Sequence, residues 1–170
     1  KGRAYSIPAS DIPGGKGDGV PATSLADFVG GGKQVLAHVV SPERIYLVAA
    51  DGGYGFRCRG EDFLSRGKAG KAFLTLGDGE SPAVFMPAPA GGEVACLTRD
   101  GRALVFPVDE IRLLPRGRGL KLIEADPGKT ALSEIVPVVD GAAGRLRGER
   151  LEICRGNRGA RGRPVKATRR

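Results

Sequence analysis

A glycine recurs at Gly17, Gly67 and Gly117, 50 residues apart each time, and again at Gly159, 42 residues on. Each sits in a basic, glycine-rich stretch: "IPGGKGDG" (12–19), "LSRGKAGK" (64–71), "LPRGRGLK" (114–121) and "RGNRGARGRP" (155–164). Upstream of each lies a second recurring element, "GRAYSI" (2–7), "GYGFRC" (53–58), "GRALVF" (101–106) and "GERLEI" (148–153). There glycine is followed at +3 and +5 by an apolar residue: Tyr5 and Ile7, Phe56 and Cys58, Leu104 and Phe106, Leu151 and Ile153. A period of two is the signature of a half-buried strand. A repeat of this length built from short strands implies an array, because a small sheet cannot bury both faces until neighbours stack on it.

Each unit accommodates about four strands. In "RIYLVAADGGYGFRC" and "EVACLTRDGRALVFP" two apolar runs flank Asp51-Gly52 and Asp100-Gly101, read here as tight primed hairpin turns. Further strands are expected at "QVLAHVV" (34–40), "PAVFMP" (82–87) and "EIVPVV" (134–139), with single helical turns or loops at 60–66 and 108–114. Helical periodicity is scarce, and 28 glycines with 12 prolines oppose long helices. The fold expected is all-β, a propeller-like array of roughly 50-residue, four-stranded blades, open or partial. The units fall near 2–50, 51–99 and 100–147, with a shortened fourth at 148–164. A polybasic tail, 155–170, is expected to behave as a mobile arm. With Lys1 first and Met86 the sole methionine, the chain is expected to be a piece of a longer polypeptide.

Charge sharpens the functional question. The net charge is +8, and seven of the basic residues follow Cys154 with no acid among them, leaving +1 on residues 1–154. The remaining cations cluster where the glycines are. A loop without β-carbons can approach a phosphate backbone closely, so that its N–H groups join Arg and Lys side chains on phosphate oxygens. Nine aromatics, none flanking the basic turns, argue against a single-strand binder that stacks bases. The partner expected is therefore double-stranded DNA, held through its backbone with a strong salt dependence. The candidate contacts are Arg3, Lys16, Arg57, Arg59, Arg66, Lys68, Lys71, Arg116, Arg118, Lys121, Arg155, Arg158, Arg161 and Arg163.

Other chemistries find little support. "GKAGKAF" lacks the Gly-Lys-Ser/Thr ending of a phosphate-binding loop. His38 is the only histidine and is read as a core or strand residue; Tyr5, Tyr46 and Tyr54 are read as strand residues. Cys58, Cys96 and Cys154 are odd in number and form no CxxC pair, so they are read as small core residues, not a metal or disulfide set. The acidic pairs Glu61-Asp62 and Asp109-Glu110 lie beside bases and are read as tuning local charge. No catalytic residue and no metal site are assigned. No apolar run is long enough for a membrane span, and the chain is expected to be soluble and intracellular. An ordinary propeller that docks proteins is the rival reading.

The series "GRAYSIPASDIPGGKGDG", "AADGGYGFRCRGEDFLSRGKAGKAFLTL" and "TRDGRALVFPVDEIRLLPRGRGLK" resembles the C-terminal domain of the A subunit of bacterial type IIA topoisomerases, over essentially the whole chain. The resemblance is nearer to the topoisomerase IV branch than to gyrase, whose glutamine-arginine-glycine-lysine box has only degenerate relatives here. It implies a β-pinwheel, a disc whose blades exchange strands and whose basic rim bends duplex DNA. It also implies that cleavage chemistry, ATP and Mg2+ belong to the complete enzyme, a heterotetramer with an ATPase B subunit in the bacterial cytoplasm, associated with the nucleoid.

Overall fold

Two hairpins organise the molecule. In the computed structural model, which describes residues 1–32 and 34–165, the strands are β1 (Arg3–Ala4), β2 (Ile45–Ala50), β3 (Tyr54–Arg59), β4 (Lys71–Ala72), β5 (Pro82–Pro87), β6 (Glu93–Thr98), β7 (Arg102–Pro107), β8 (Leu120–Lys121), β9 (Leu132–Pro137), β10 (Ala142–Ala143), β11 (Leu146–Arg147) and β12 (Arg163–Pro164). Hairpins β2–β3 and β6–β7 are each extended on one side by the next six-residue strand, β5 or β9, and on the other by a two-residue strand, β8 or β12, lent from the next unit. The result is two antiparallel four-stranded sheets, β5-β2-β3-β8 and β9-β6-β7-β12, neither closed on itself. Two small pairs, β1-β4 and β10-β11, lie outside them. The all-β expectation holds, and the helices are single turns such as α1 (Ala22–Leu25) and the 3-10 turns Gly60–Phe63 and Val108–Glu110.

Alternation along the strands decides which face meets which. Leu47 and Ala49 of β2 share one core with Val94 and Cys96 of β6 and Leu104 and Phe106 of β7, so this core lies between the two large sheets. The alternate residues of β2, Tyr46, Val48 and Ala50, turn to a second core with Phe56, Cys58, Phe63 and Phe73. Ala95, Ala103 and Val105 turn to a third, closed by Ala143, Leu146, Leu151 and Cys154. Each large side chain fully buried in these layers contributes about 1.5–3 kcal/mol. The three cysteines are all buried and free, as their core reading required.

Several expectations need correction. The hairpin turns are not primed. Gly53 and Gly101 donate to the carbonyls of Ala50 and Thr98 at 3.0 Å, and it is they, at φ +85° and +80°, that take the left-handed conformation. Each loop is thus a three-residue turn closed by a left-handed glycine, one position beyond the Asp-Gly step of the first hairpin and on the glycine of the second. Residues 34–40 form no strand: the edge they would join, β5, begins and ends in proline, which offers no N–H. Val39 is 92% exposed. His38 is exposed, neither core nor strand, and stacks on Phe85 with ring centroids 4.8 Å apart. Tyr46 and Tyr54 lie on strands, but Tyr5 falls beyond the two-residue β1.

"GERLEI" is not a strand either. Its residues Glu149–Glu152 form α2, a single helical turn. That turn brings Leu151 and Cys154, three positions apart, onto the third core and leaves Ile153 52% exposed, whereas a strand would have buried Leu151 with Ile153. The mobile-arm reading of the tail also fails over its described part. Residues 155–165 lie along the second sheet, where Val105 N donates to Cys154 O, Gly156 N to Val105 O and Val165 N to Gly101 O, and β12 pairs with β7. Their glycines let the chain pass close to the sheet, and a sheet edge supplies the backbone partners. Residues 166–170 lie outside the described residues.

Candidate nucleic-acid interface

The basic turns sit where strands are exchanged. Arg57 forms a bridge with Leu113 before residues 120–121 pair with Tyr54 and Gly55; Val105 forms a bridge with Arg155 before residues 163–164 pair with Ala103 and Arg102. The turn 116–119 and the turn 158–162 therefore occupy corresponding places on the two sheets. Their close approach requires glycine. At Gly119, φ +78°, an added Cβ would lie 1.9 Å from the carbonyl oxygen of Gly55; at Gly162, φ +81°, it would lie 2.7 Å from that of Ala103.

Backbone bonds string the turns into one row. Phe73 and Leu74, which follow the turn 66–70, donate to Gly2 O; Gly117 N donates to Phe73 O and Thr75 N to Gly117 O. One unit on, Gly159 N donates to Leu122 O and Glu124 N to Ala160 O. The turns 116–119 and 158–162 thus each lie against the strand that leaves the preceding basic turn. The opposite edges, β5 and β9, carry a single charge between them, that of Glu134.

The candidate cations divide into two groups. Some are spent on the protein. Arg3 donates to Ala69 O (2.9 and 3.3 Å) and Gly70 O (3.1 Å), bracing the turn 66–70. Arg57 donates to Ile111 O at 2.7 Å and approaches Asp109 at 3.7 Å. Arg155 forks onto Glu93 (2.8–3.1 Å) and pairs with Glu152, and these bonds, chiefly to Glu93, hold its guanidinium above its ordinary range. Arg118 lies 4.0 Å above the Tyr54 ring and pairs with Glu80 at 3.0 Å. Arg158 is half-buried and donates to Lys121 O at 2.6 Å.

The others face solvent. Lys16, Arg59, Arg66, Lys68, Arg116, Lys121, Arg161 and Arg163 are exposed, and Lys71 is half-buried. Among these Lys68 reaches Ser24 O at 3.5 Å, and Lys121 lies 6.0 Å from the Tyr54 ring. Arg66 and Lys68 also border a cleft of about 190 Å³ shared with Tyr5, Ser6 and Asp11.

One residue that organises this surface escaped the sequence reading. Arg102 is buried and donates to Asp100 at 2.7 Å, to Glu124 O at 3.0 Å and to Arg161 O, joining the second hairpin to two successive exchanged segments. Its bond to Asp100, with a second from Thr98, holds that carboxyl below the usual carboxylate range. Arg102 stands at the strand position Tyr54 holds in the first hairpin, so superposing the two hairpins would have singled it out.

The three thiols are not poised as nucleophiles. Burial, with a smaller push from Asp62, raises the Cys58 thiol to about 12, and burial raises Cys96 and Cys154 as well, so all three stay protonated at neutral pH. Among the described residues no group of three or more His, Cys, Asp or Glu could hold a metal ion, and no helix is long and apolar enough to cross a membrane.

Comparison with known proteins places this arrangement. The family described as "DNA gyrase C-terminal domain, beta-propeller" matches residues 1–27, 45–81 and 92–132. The A subunit of DNA topoisomerase 4 from Neisseria gonorrhoeae is 37% identical over 178 residues, covering 96% of this chain and 23% of the relative. That of Pseudomonas aeruginosa is 33% identical, covering 95% and 24%. The chain spans about a quarter of the length of these relatives. Among solved structures, the C-terminal domain of Escherichia coli ParC superposes with a TM-score of 0.84 at 29% identity, over 98% of this chain and 74% of that one.

Proposed function

Since the chain belongs to the family of DNA gyrase C-terminal β-propeller domains, and its relatives are topoisomerase IV A subunits, we propose that it is a non-catalytic, DNA-bending domain of a type IIA topoisomerase. It holds duplex DNA along its row of basic turns and presents segments for strand passage, in relaxation, decatenation and chromosome segregation. Strand cleavage and the use of ATP and Mg2+ fall to the rest of the complete enzyme, a heterotetramer in which full-length A subunits join ATPase B subunits. The setting is the bacterial cytoplasm, at the nucleoid.

The observation that carries this reading is the row itself. Equivalent turns of stacked units are related by the same rotation, so a duplex following Arg66 and Lys68, then Arg116, then Arg161 has to curve with them. Bending about 20–30 base pairs costs on the order of 1–6 kcal/mol. Several charge-assisted contacts of about 1.5–3 kcal/mol each offset that, and one turn alone does not. Contacts of this kind are indifferent to base sequence.

The test is a titration of unrelated duplexes at several salt concentrations, with end-to-end distance read by fluorescence transfer. The expected outcome is similar affinity for all sequences, a steep fall with salt, and a shortened end-to-end distance. In the variant R116A/K121A the slope of log affinity against log salt should fall by about 1.8, or about 0.9 for each lost contact. Bound DNA as long as free DNA would leave a protein that adheres to DNA without bending it.

A further inference from the structure

The basic turn 116–119 carries two arginines one glycine apart, and the structure gives them opposite settings. Arg116 is exposed, with no polar partner among the described residues. Arg118 lies flat on Tyr54, its guanidinium carbon 4.0 Å from the ring centroid, and donates to Glu80 Oε1 at 3.0 Å. The carboxylate it meets is enclosed: the Glu80 side chain is 5% exposed, against 43% for Arg118. Glu80 Oε2 accepts from Gly77 N at 2.6 Å.

Two glycines make room for this seat. A Cβ on Gly52 would lie 1.9 Å from Glu80 Oε1, and one on Gly77 would lie 3.0 Å from an Arg118 nitrogen. The clamp therefore joins three segments: the tip of the β2–β3 hairpin, the turn at 77–80 and the basic turn.

Resting on the DNA-bending reading above, we infer that Arg118 is not a phosphate contact but the anchor of its turn. Glu80 and Tyr54 are positioning residues that fix the turn's place in the row and so set the curve of a duplex that Arg116 and Lys121 contact. Desolvation is the first reason. A carboxylate enclosed to this degree is costly to leave without its partner, so Arg118 stays on Glu80 when DNA arrives. Charge is the second: the pair is neutral as a unit, condenses no counterion to release, and so adds nothing to the salt dependence. The third is that the neighbouring turns follow the same plan. Arg3 is spent on the carbonyls of Ala69 and Gly70 in the turn 66–70, and Arg102 on the carbonyl of Arg161 in the turn 158–162. Each of these three turns has at least one arginine committed to holding it in place.

The experiment uses the whole chain and a fluorescently labelled duplex of about 30 base pairs, titrated across salt. R118A should keep the wild-type salt slope while the bend in bound DNA relaxes and the thermal midpoint falls. R116A should lower the slope by about 0.9 with the midpoint unchanged. E80Q, which unties Arg118, should raise the slope, since a cation held neutral becomes free to meet phosphate. If R118A lowers the slope as R116A does, and E80Q leaves it unchanged, Arg118 is a phosphate contact and the inference is overturned. Should R118A fail to fold, E80Q alone decides: a raised slope supports the clamp and an unchanged slope overturns it. A chain that bound no duplex at all would defeat the DNA reading. The clamp would then be judged by thermal coupling of E80Q with R118A, where non-additive losses support it and additive ones overturn it.

Discussion

The turns 116–121 and 158–164 occupy corresponding places on successive sheets and are secured differently. On the first sheet the turn brings its own anchor: Arg118 reaches back to Tyr54 and Glu80. On the second the sheet adds another: besides the turn's own Arg158, which donates to Lys121 O, Arg102 reaches out to the carbonyl of Arg161, whose side chain remains exposed. One arginine is committed at the first turn, and two, Arg158 and Arg102, at the second. Charge count therefore overstates the cations available to a ligand, and the strand position filled by Tyr54 or Arg102 decides which arginine is committed.

The largest effect that could separate the two turns comes from their glycines. At Gly119 alanine meets a left-handed penalty of about 1–2 kcal/mol and overpacking of about 1–3 kcal/mol against the Gly55 carbonyl 1.9 Å away, for a total near 4 kcal/mol. At Gly162 the same penalty combines with a gentler 2.7 Å approach, and about 2 kcal/mol is expected. Urea unfolding of G119A and G162A checks the order. Equal losses would mean that the exchanged strands tolerate displacement alike on both sheets.

Next comes the anchor. R102A removes a buried guanidinium from two backbone carbonyls and should cost about 3 kcal/mol, given about 1.5–3 kcal/mol for a hydrogen bond to a charged group. In a chain of this size that lowers the thermal midpoint by roughly 6–12 °C. Calorimetry of R102A beside R118A sharpens the comparison, since the half-exposed Arg118 should cost less.

The smallest effect is acid-linked and belongs to the second hairpin. Arg102, and then Thr98, hold the Asp100 carboxyl below its unfolded value of about 4. A depressed carboxyl stabilises the folded state above its unfolded pKa, and the contribution is lost as pH falls through the folded pKa. Unfolding midpoints between about pH 6 and pH 2 should accordingly decline less steeply in D100N than in the native chain.

Much of this architecture was legible. The apolar alternation in "RIYLVAADGGYGFRC" and "EVACLTRDGRALVFP" located both hairpins, and the recurring glycines located the turns. Period two says that a residue is on a strand and not which strand it pairs with, so the exchange of β8 and β12 was not deducible from pattern. "GERLEI" carried the strand signature and became a helical turn because Leu151 and Cys154 fit one apolar face at helical spacing. The division of the arginines was also hidden. Arg116 and Arg118 flank the same glycine and each precedes one, and only the fold brings Glu80 and Tyr54 to one of them.

Strand lending also imposes an order on synthesis. The edge of β3 has no partner until residues 112–114 exist and is not completed until 120 and 121 do, and the edge of β7 waits likewise for 154–156 and then 163 and 164. A chain emerging from the ribosome thus carries each sheet one strand short while the next unit is being made. Its folding front trails elongation by a full repeat, with one bare sheet edge always waiting for the residues that seal it.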